Sequence, residues 1–585
     1  MATTNTSGPR RQVSPSICPV TGDCTYALNL TPLQLADHVR LTLKPVHTLP
    51  IVFVPGIMGS NLKGTAGDYQ DTEVWRLDSN GKMFAAHVQQ SAGDRQKALH
   101  PQRTAVDDRG ALPNAPAGSV TKPEQFRARG WGEVGATSYQ AFLLWLEDSL
   151  NGGGTQGRHA VLNRTLEQVR DGRTRWGARK AFAALTADES DKSQQWFYPV
   201  HAFGYNWLDD NGKAALKLAQ RIDDVMALYQ RNGVCRQVIL VTHSMGGLVA
   251  RACSQLPGME EKIAGVVHGV MPAVGAAVAY RRCKVGMADE GSGPQAWGAA
   301  KVIGYTGREV TAVFAQAPGA LQLLPTQQYP ERQWLKIVDA EGTPLPEQPN
   351  TDDPYGPGGV YAERKKWWGL VKEEWLNPPK GEPIDWNSFK DNLDLASDFH
   401  EKIQDHYHPN TWGFYGSKVN SFAQVRWTLH ALIPGQSKDT SPRDLTQRTH
   451  AEVRLDGDNR ALVLEKQKIH AVPGHAPIAH TPVPGFELRL DLSKDSGDGT
   501  VPIVSGAYPA NPVQSTEVQQ RIKQFFDVPS VEHEPAYQHL TTQLITAYAI
   551  AKIAAAMPSP SASTSTSTST STSTSTSTST SPRKP

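Results

Sequence analysis

One serine sits where a strand hands over to a helix. Val241-Thr242-His243-Ser244-Met245-Gly246-Gly247-Leu248-Val249 follows the β-branched run Gln237-Val238-Ile239-Leu240-Val241. It enters a helical pattern with Leu248, Ala252 and Leu256 on one face. A turn that sharp needs small residues two positions either side of the serine, and it pushes the hydroxyl out above the sheet. The Met245 N–H then lies at a helix N-terminus, where donors are unpaired and the dipole favours negative charge. Both features suit nucleophilic attack on a carbonyl and stabilisation of the resulting oxyanion. Thr242 departs from the common Gly-x-Ser-x-Gly pattern, so the turn must tolerate its Cβ.

The remaining parts of such a site have candidates in the expected order. Val54-Pro55-Gly56-Ile57-Met58-Gly59-Ser60-Asn61-Leu62 follows an early strand and can supply a second oxyanion donor. Ile57 is the expected donor, with Met58 as the alternative. Asp495-Ser496-Gly497-Asp498-Gly499-Thr500-Val501-Pro502 offers a carboxylate on a turn, with Asp498 preferred and Asp495 in reserve. Val531-Glu532-His533-Glu534-Pro535-Ala536-Tyr537-Gln538-His539 precedes the last helix and offers the base. His533 is preferred because it lies in the loop, whereas His539 reads as already helical. The chain order Ser–Asp–His is the order used by one hydrolase architecture. Met58 and His243 are expected to line the substrate. No metal or organic cofactor is required.

The elements that must carry these residues read as a layered α/β fold. Leu49-Pro50-Ile51-Val52-Phe53-Val54 is a buried strand, and Trp196-Phe197-Tyr198-Pro199-Val200 reads as another. Ser138 to Leu150 reads as a helix. Leu218, Ile222, Val225 and Tyr229 repeat at helical steps ahead of the nucleophile strand. Alternation of the two periods predicts a mostly parallel sheet with helices on both faces. Trp412-Gly413-Phe414-Tyr415-Gly416 resumes the strands, Val453 to Leu464 reads as a hairpin around Asp456-Gly457-Asp458-Asn459, and Phe486 to Leu492 reads as the last strong strand. A helix over Thr541 to Ala556 closes the core.

This divides the chain into an arm at 1–45, a first core part at 46–270 and a large cap at 271–410. A second core part with a hairpin insertion follows at 411–556, and a disordered Ser-Thr tail at 557–585. In the cap, Trp368, Val371 and Trp375 fall on one face of an expected helix flanked by Lys and Arg, a pattern that would suit a membrane interface or, as the simpler reading, pack the cap onto the core.

Composition narrows the function. The chain has 585 residues, net charge +2, 39% hydrophobic and 20% charged residues, with no long basic block. That is globular composition without a nucleic-acid signature. No window is apolar enough to span a membrane. Met1 to Leu30 lacks the apolar core of a secretory signal, so synthesis in the cytoplasm is expected. Cys18 and Cys24 flank a short loop as a disulfide or two free thiols, and the other three cysteines read as buried.

The segments Pro55-Gly56-Ile57-Met58-Gly59-Ser60-Asn61-Leu62, His243-Ser244-Met245-Gly246-Gly247 and Gly497-Asp498-Gly499-Thr500-Val501-Pro502 occur in the order seen in lecithin:cholesterol acyltransferase-like lipases. They are also similar to GPI inositol-deacylase-like hydrolases. Phe203-Gly204-Tyr205-Asn206-Trp207 resembles the aromatic segment before the nucleophile in those enzymes, which places Tyr205 and Trp207 among the expected substrate-binding residues. With Glu532-His533-Glu534-Pro535-Ala536-Tyr537 and a large cap, the chain looks most like bacterial type VI secretion lipase effectors. That resemblance implies the α/β-hydrolase fold and a phospholipase acting on membrane glycerophospholipids. It also implies a type VI route to a target cell's periplasm, and the secretion apparatus and an immunity protein as partners. The same residues would serve an acyltransferase or an esterase or amidase of small substrates. A catalytically dead scaffold is disfavoured because every position holds a competent residue.

Overall fold

The computed structural model describes residues 47–558 except 79–89, 115–122, 152–174, 232, 288–303, 433–441, 457–458, 466–482, 493 and 512, together with a few short N-terminal strands. Cys18, Cys24, the hairpin tip at Gly457 and Asp458, and the Ser-Thr run of the tail lie outside the residues whose surroundings it describes.

Six parallel strands form the centre: β1 (Ile51–Val54), β2 (Val200–Ala202), β3 (Val238–His243), β4 (Ile263–Gly269), β5 (Thr411–Ser417) and β6 (Ile522–Pro529), in the spatial order β6-β5-β4-β3-β1-β2. Every pair is parallel, and Val241 lies opposite Phe53 on one side and Val267 on the other. Successive side chains of a strand point to opposite faces. Accordingly Val52, Val54, Val238 and Leu240 enter one core, and Ile51, Phe53, Ile239 and Val241 enter the other. Burial on both faces explains why these strands read as continuous apolar runs rather than alternating ones.

Helices cover both faces. Helix α1 (Asn211–Gln230) brings Leu218, Ile222, Val225 and Tyr229 to the first core, as its spacing predicts, and the Asp210 carboxylate caps it by accepting the Lys213 N–H. Helix α2 (Gly246–Ser254) packs on the same side. Helix α3 (Leu540–Ala556) lies on the other face with Ile545, Ile550 and Ile553 in the second core. The Ser138–Leu150 helix appears as one π-turn, Ala136–Gln140, running into Ala141–Asn151.

Three expectations are corrected. The strand placed at Trp196–Val200 lies later, at Val200–Ala202, with Phe197 making only an isolated bridge to Thr48. The last strand is β6, not the run ending at Leu492. Its Lys523, Gln524 and Asp527 hide the period, yet Gln524 is buried because its amide bonds the backbone of Arg179 and Lys180. Phe486 belongs instead to a second sheet, in the order Leu335–Val338, Val425–Leu432, Val483–Leu490, Arg460–Glu465 and Val453–Asp456. The hairpin forms as expected within that sheet, with Asp456 opposite Arg460.

The third correction concerns the tryptophans. Residues 365–376 form turns closed by a short 3-10 segment, Glu373–Leu376, rather than an amphipathic helix. Trp367 is fully buried against Trp427, with ring centroids 5.3 Å apart, and its indole N–H donates to the Leu445 carbonyl. The Trp368 indole donates to the Thr446 carbonyl. These rings hold the inserted sheet together and do not present an interfacial face. Trp367→Ala should therefore cost about 3–5 kcal/mol of stability, the range for emptying a large core site. Urea unfolding would register that loss, while partition of folded protein onto vesicles should not change.

Candidate active site

Ser244 directly follows β3 in the left-handed region, with φ 51°, and α2 starts two residues later. The sharp turn follows from contact with the neighbouring strand. A Cβ at Gly246 would lie 2.4 Å from the carbonyl oxygens of both Val54 and Pro55, so only glycine fits. The other side of the serine has more room. Thr242 is fully buried, but its hydroxyl is 2.9 Å from His268 Nδ1 on β4, directly opposite in register. The hydroxyl has a partner in the sheet, so the turn accepts a threonine where glycine is common.

His533 reaches the serine from the loop before α3. Its Nε2 is 2.8 Å from Ser244 Oγ, and its Nδ1 is 2.8 Å from Asp498 Oδ2. A carboxylate only accepts, so Nδ1 carries the proton and Nε2 is left to accept from the serine hydroxyl. The other Asp498 oxygen accepts the Thr500 and Val501 N–H groups at 2.9 and 2.6 Å. The His533 N–H donates to the Asp498 carbonyl at 2.8 Å, so backbone and side chain tie the same two loops.

The reserve candidates sit elsewhere. One Asp495 carboxylate oxygen accepts the Ala423 and Gln424 N–H groups. His539 is exposed and caps α3 by accepting the Thr541 N–H.

The donors expected for an oxyanion, and the alternative to one of them, are free. The Met245 N–H and the Ile57 N–H donate to no acceptor among the described residues, and neither does that of Met58. Met58 adopts φ 63°, and its carbonyl accepts the Trp75 indole N–H at 2.7 Å.

The remaining residues expected at the substrate brace that loop from behind instead. Tyr205 is fully buried, its hydroxyl donates to the Pro55 carbonyl and its N–H to Ser60 Oγ, each at 3.0 Å. Trp207 is fully buried edge-on to Trp75, with centroids 5.3 Å apart. His243 is buried with both ring nitrogens engaged, Nδ1 with the Tyr139 hydroxyl and Nε2 with the His533 carbonyl, each at 2.9 Å.

Burial also sorts the imidazoles. It pushes His243 and His268 down to about 3, so both are neutral near pH 7. Burial raises the Tyr139 phenol, which stays protonated. No positive ring therefore competes beside His533. Sequence reasoning missed Tyr139, Trp75 and Tyr537, whose hydroxyl donates to the Thr242 carbonyl at 2.8 Å. No local signal marks them. Tyr139 is 104 positions from His243 and Tyr537 is 295 from Thr242.

Residues 202–285, which contain β3, Ser244 and α2, match the PGAP1-like alpha/beta domain. The chain is similar to a chain in the crystal structure of the Tle4–Tli4 complex, with 26% sequence identity and a TM-score of 0.64. That similarity covers 87% of this chain and 98% of the other. The chain is an α/β-hydrolase. No curated protein matches it. The matched segment thus holds the turn at Ser244, whose neighbour strand β1 leads into the loop at Ile57.

Proposed function

We propose that this hydrolase is a serine esterase of the lipase type that cleaves carboxylic ester bonds of membrane glycerophospholipids. The observation that carries the reading is the unbroken line from Ser244 Oγ through His533 to Asp498, with free N–H groups at Met245 and Ile57 beside it. His533 Nε2 takes the Ser244 proton as Oγ attacks the ester carbonyl. The carbonyl oxygen becomes negative and is held by the Met245 and Ile57 N–H groups, with the Met58 N–H as the alternative second donor. Collapse expels the alcohol, here the lysolipid, which takes the proton from His533. Water then attacks the acyl-enzyme with His533 again as base and frees the fatty acid. Asp498 holds the imidazole in the required tautomer throughout.

The lipid substrate and the biological setting rest on likeness. The sequence resembles type VI secretion lipase effectors, and the similar solved chain was crystallised in a complex with Tli4. By that analogy this hydrolase has its own inhibitory protein partner and is exported to act on a competitor's membrane. None of the described helices is long and apolar enough to cross a membrane. Of the second sheet, the strand Leu335–Val338 falls in the cap proposed at 271–410, and it pairs with Val425–Leu432 from the part proposed at 411–556.

The test is fatty-acid release from phosphatidylethanolamine and phosphatidylglycerol vesicles, run beside hydrolysis of p-nitrophenyl butyrate and labelling by a fluorophosphonate probe. Release from vesicles together with labelling at Ser244 is the expected result. Labelling and butyrate hydrolysis without vesicle release would keep the serine esterase and reject the lipid. Absence of labelling in folded protein would reject the nucleophile.

A further inference from the structure

His243 immediately precedes the nucleophile, yet it offers no atom to a substrate. It is 4% exposed, and both ring nitrogens face the protein. The partners fix the direction of every bond. The His533 carbonyl only accepts, so His243 Nε2 bears the hydrogen. The ring is neutral, so Nδ1 carries a lone pair and accepts from the Tyr139 hydroxyl. The Tyr139 oxygen in turn accepts the Gly56 N–H at 3.2 Å. The chain of donors runs from Gly56 to Tyr139 to His243 to the carbonyl of His533, and every donor along it has an acceptor.

These bonds join the two loops whose relative position decides acyl chemistry. Gly56 directly precedes Ile57 in the loop that carries the second free N–H. His533 carries the imidazole that faces Ser244. The packing follows the same path. A Cβ on Gly56 would lie 3.0 Å from His243 Nδ1 and 2.9 Å from Ser244 Cβ, and one on Gly59 would lie 2.7 Å from the Tyr139 hydroxyl. Tyr139 thus sits under both ends of the Gly56–Gly59 turn, whose Gly59 N–H donates to the Gly56 carbonyl.

We propose that His243 and Tyr139 are positioning residues that set the oxyanion loop and the His533 loop at a fixed distance from each other around Ser244. The proposal rests on the serine esterase reading above. Misplacement of a catalytic group by about 1 Å costs on the order of a hundredfold in rate. A relay of this kind therefore acts on kcat. It should leave KM nearly unchanged, because it touches no part of the substrate.

The experiment compares wild type, Tyr139→Phe, His243→Phe, His243→Gln and the double Tyr139→Phe/His243→Phe on p-nitrophenyl butyrate, with thermal unfolding of each. Tyr139→Phe should lower kcat about tenfold and His243→Phe about a hundredfold, with KM little changed. The double variant should be no slower than His243→Phe, because the relay is already broken. His243→Gln keeps a side-chain N–H for the His533 carbonyl and should recover part of kcat. Folded variants with wild-type kcat would overturn the proposal. So would single losses that multiply in the double, or a kcat that falls only with the folded fraction. If His243→Phe does not fold, Tyr139→Phe and His243→Gln decide the matter by the same criteria. A wild type that neither hydrolyses the ester nor reacts with a fluorophosphonate would instead refute the esterase reading, and this proposal with it.

Discussion

Ser244→Ala should reduce ester hydrolysis about a million-fold while the protein stays folded, the scale seen when the nucleophile of a serine hydrolase is removed. The loss is large because the acyl-enzyme route disappears with the oxygen, and among the described residues the neighbouring imidazole bonds no other hydroxyl. Stability should hardly change. Alanine meets the left-handed φ at this position with the same Cβ that serine has. The vacated space lies beside His533, whose side chain is 14% exposed and whose Nε2 can bond water instead. Asp498→Asn gives the graded control. The amide can donate to Nδ1 and hold the wrong tautomer, with a loss of about ten-thousand-fold expected from that change in serine hydrolases. Both variants should be measured by steady-state hydrolysis on protein of verified thermal unfolding profile. Substantial turnover by well-folded Ser244→Ala would sink the assignment of the nucleophile.

Gly246→Ala is the second large effect, and it should strike stability and activity together. The added Cβ meets two backbone carbonyls at 2.4 Å, those of Val54 and Pro55, and neither can rotate away as a side chain would. Relief requires α2 to move off β1. Overpacking of this kind costs about 1–3 kcal/mol or more. The same movement shifts the Met245 N–H relative to the Ile57 N–H and spreads β1 from the turn at Ser244, so kcat should fall along with the unfolding midpoint. Urea unfolding and esterase assays on one preparation would test both halves. A variant of full stability and full activity would show that the turn does not need this close approach.

The sequence carried the serine at the strand–helix turn, the order of the acid and histidine candidates and the parallel sheet, because each is written in a short local pattern. The run into Ser244 is apolar, small residues follow it, and a helix period begins at once. Gly497-Asp498-Gly499 and the loop at His533 stand where the chain order requires a carboxylate and an imidazole. Local pattern failed where burial was arranged by distant partners. Strand β6 contains Lys523, Gln524 and Asp527, and what makes it a strand is pairing with β5, more than a hundred positions away in sequence. Trp368 and Val371 fell on a possible interfacial stripe with Trp375, but both are buried, and the Trp368 indole N–H finds the Thr446 carbonyl.

The choice between like residues also belonged to the tertiary structure. Asp495 and Asp498 differ by three positions, and only the fold sends one to His533 and the other to the Ala423 and Gln424 N–H groups. His243 adjoins the nucleophile in sequence, which suggested contact with substrate. Its ring is turned away by bonds to Tyr139 and to the His533 carbonyl, which lies 290 positions later. A residue's type and its local period fix which element it joins, because those depend on neighbours along the chain. Which polar atom meets which is set by strand order and loop closure, and these depend on residues hundreds of positions apart.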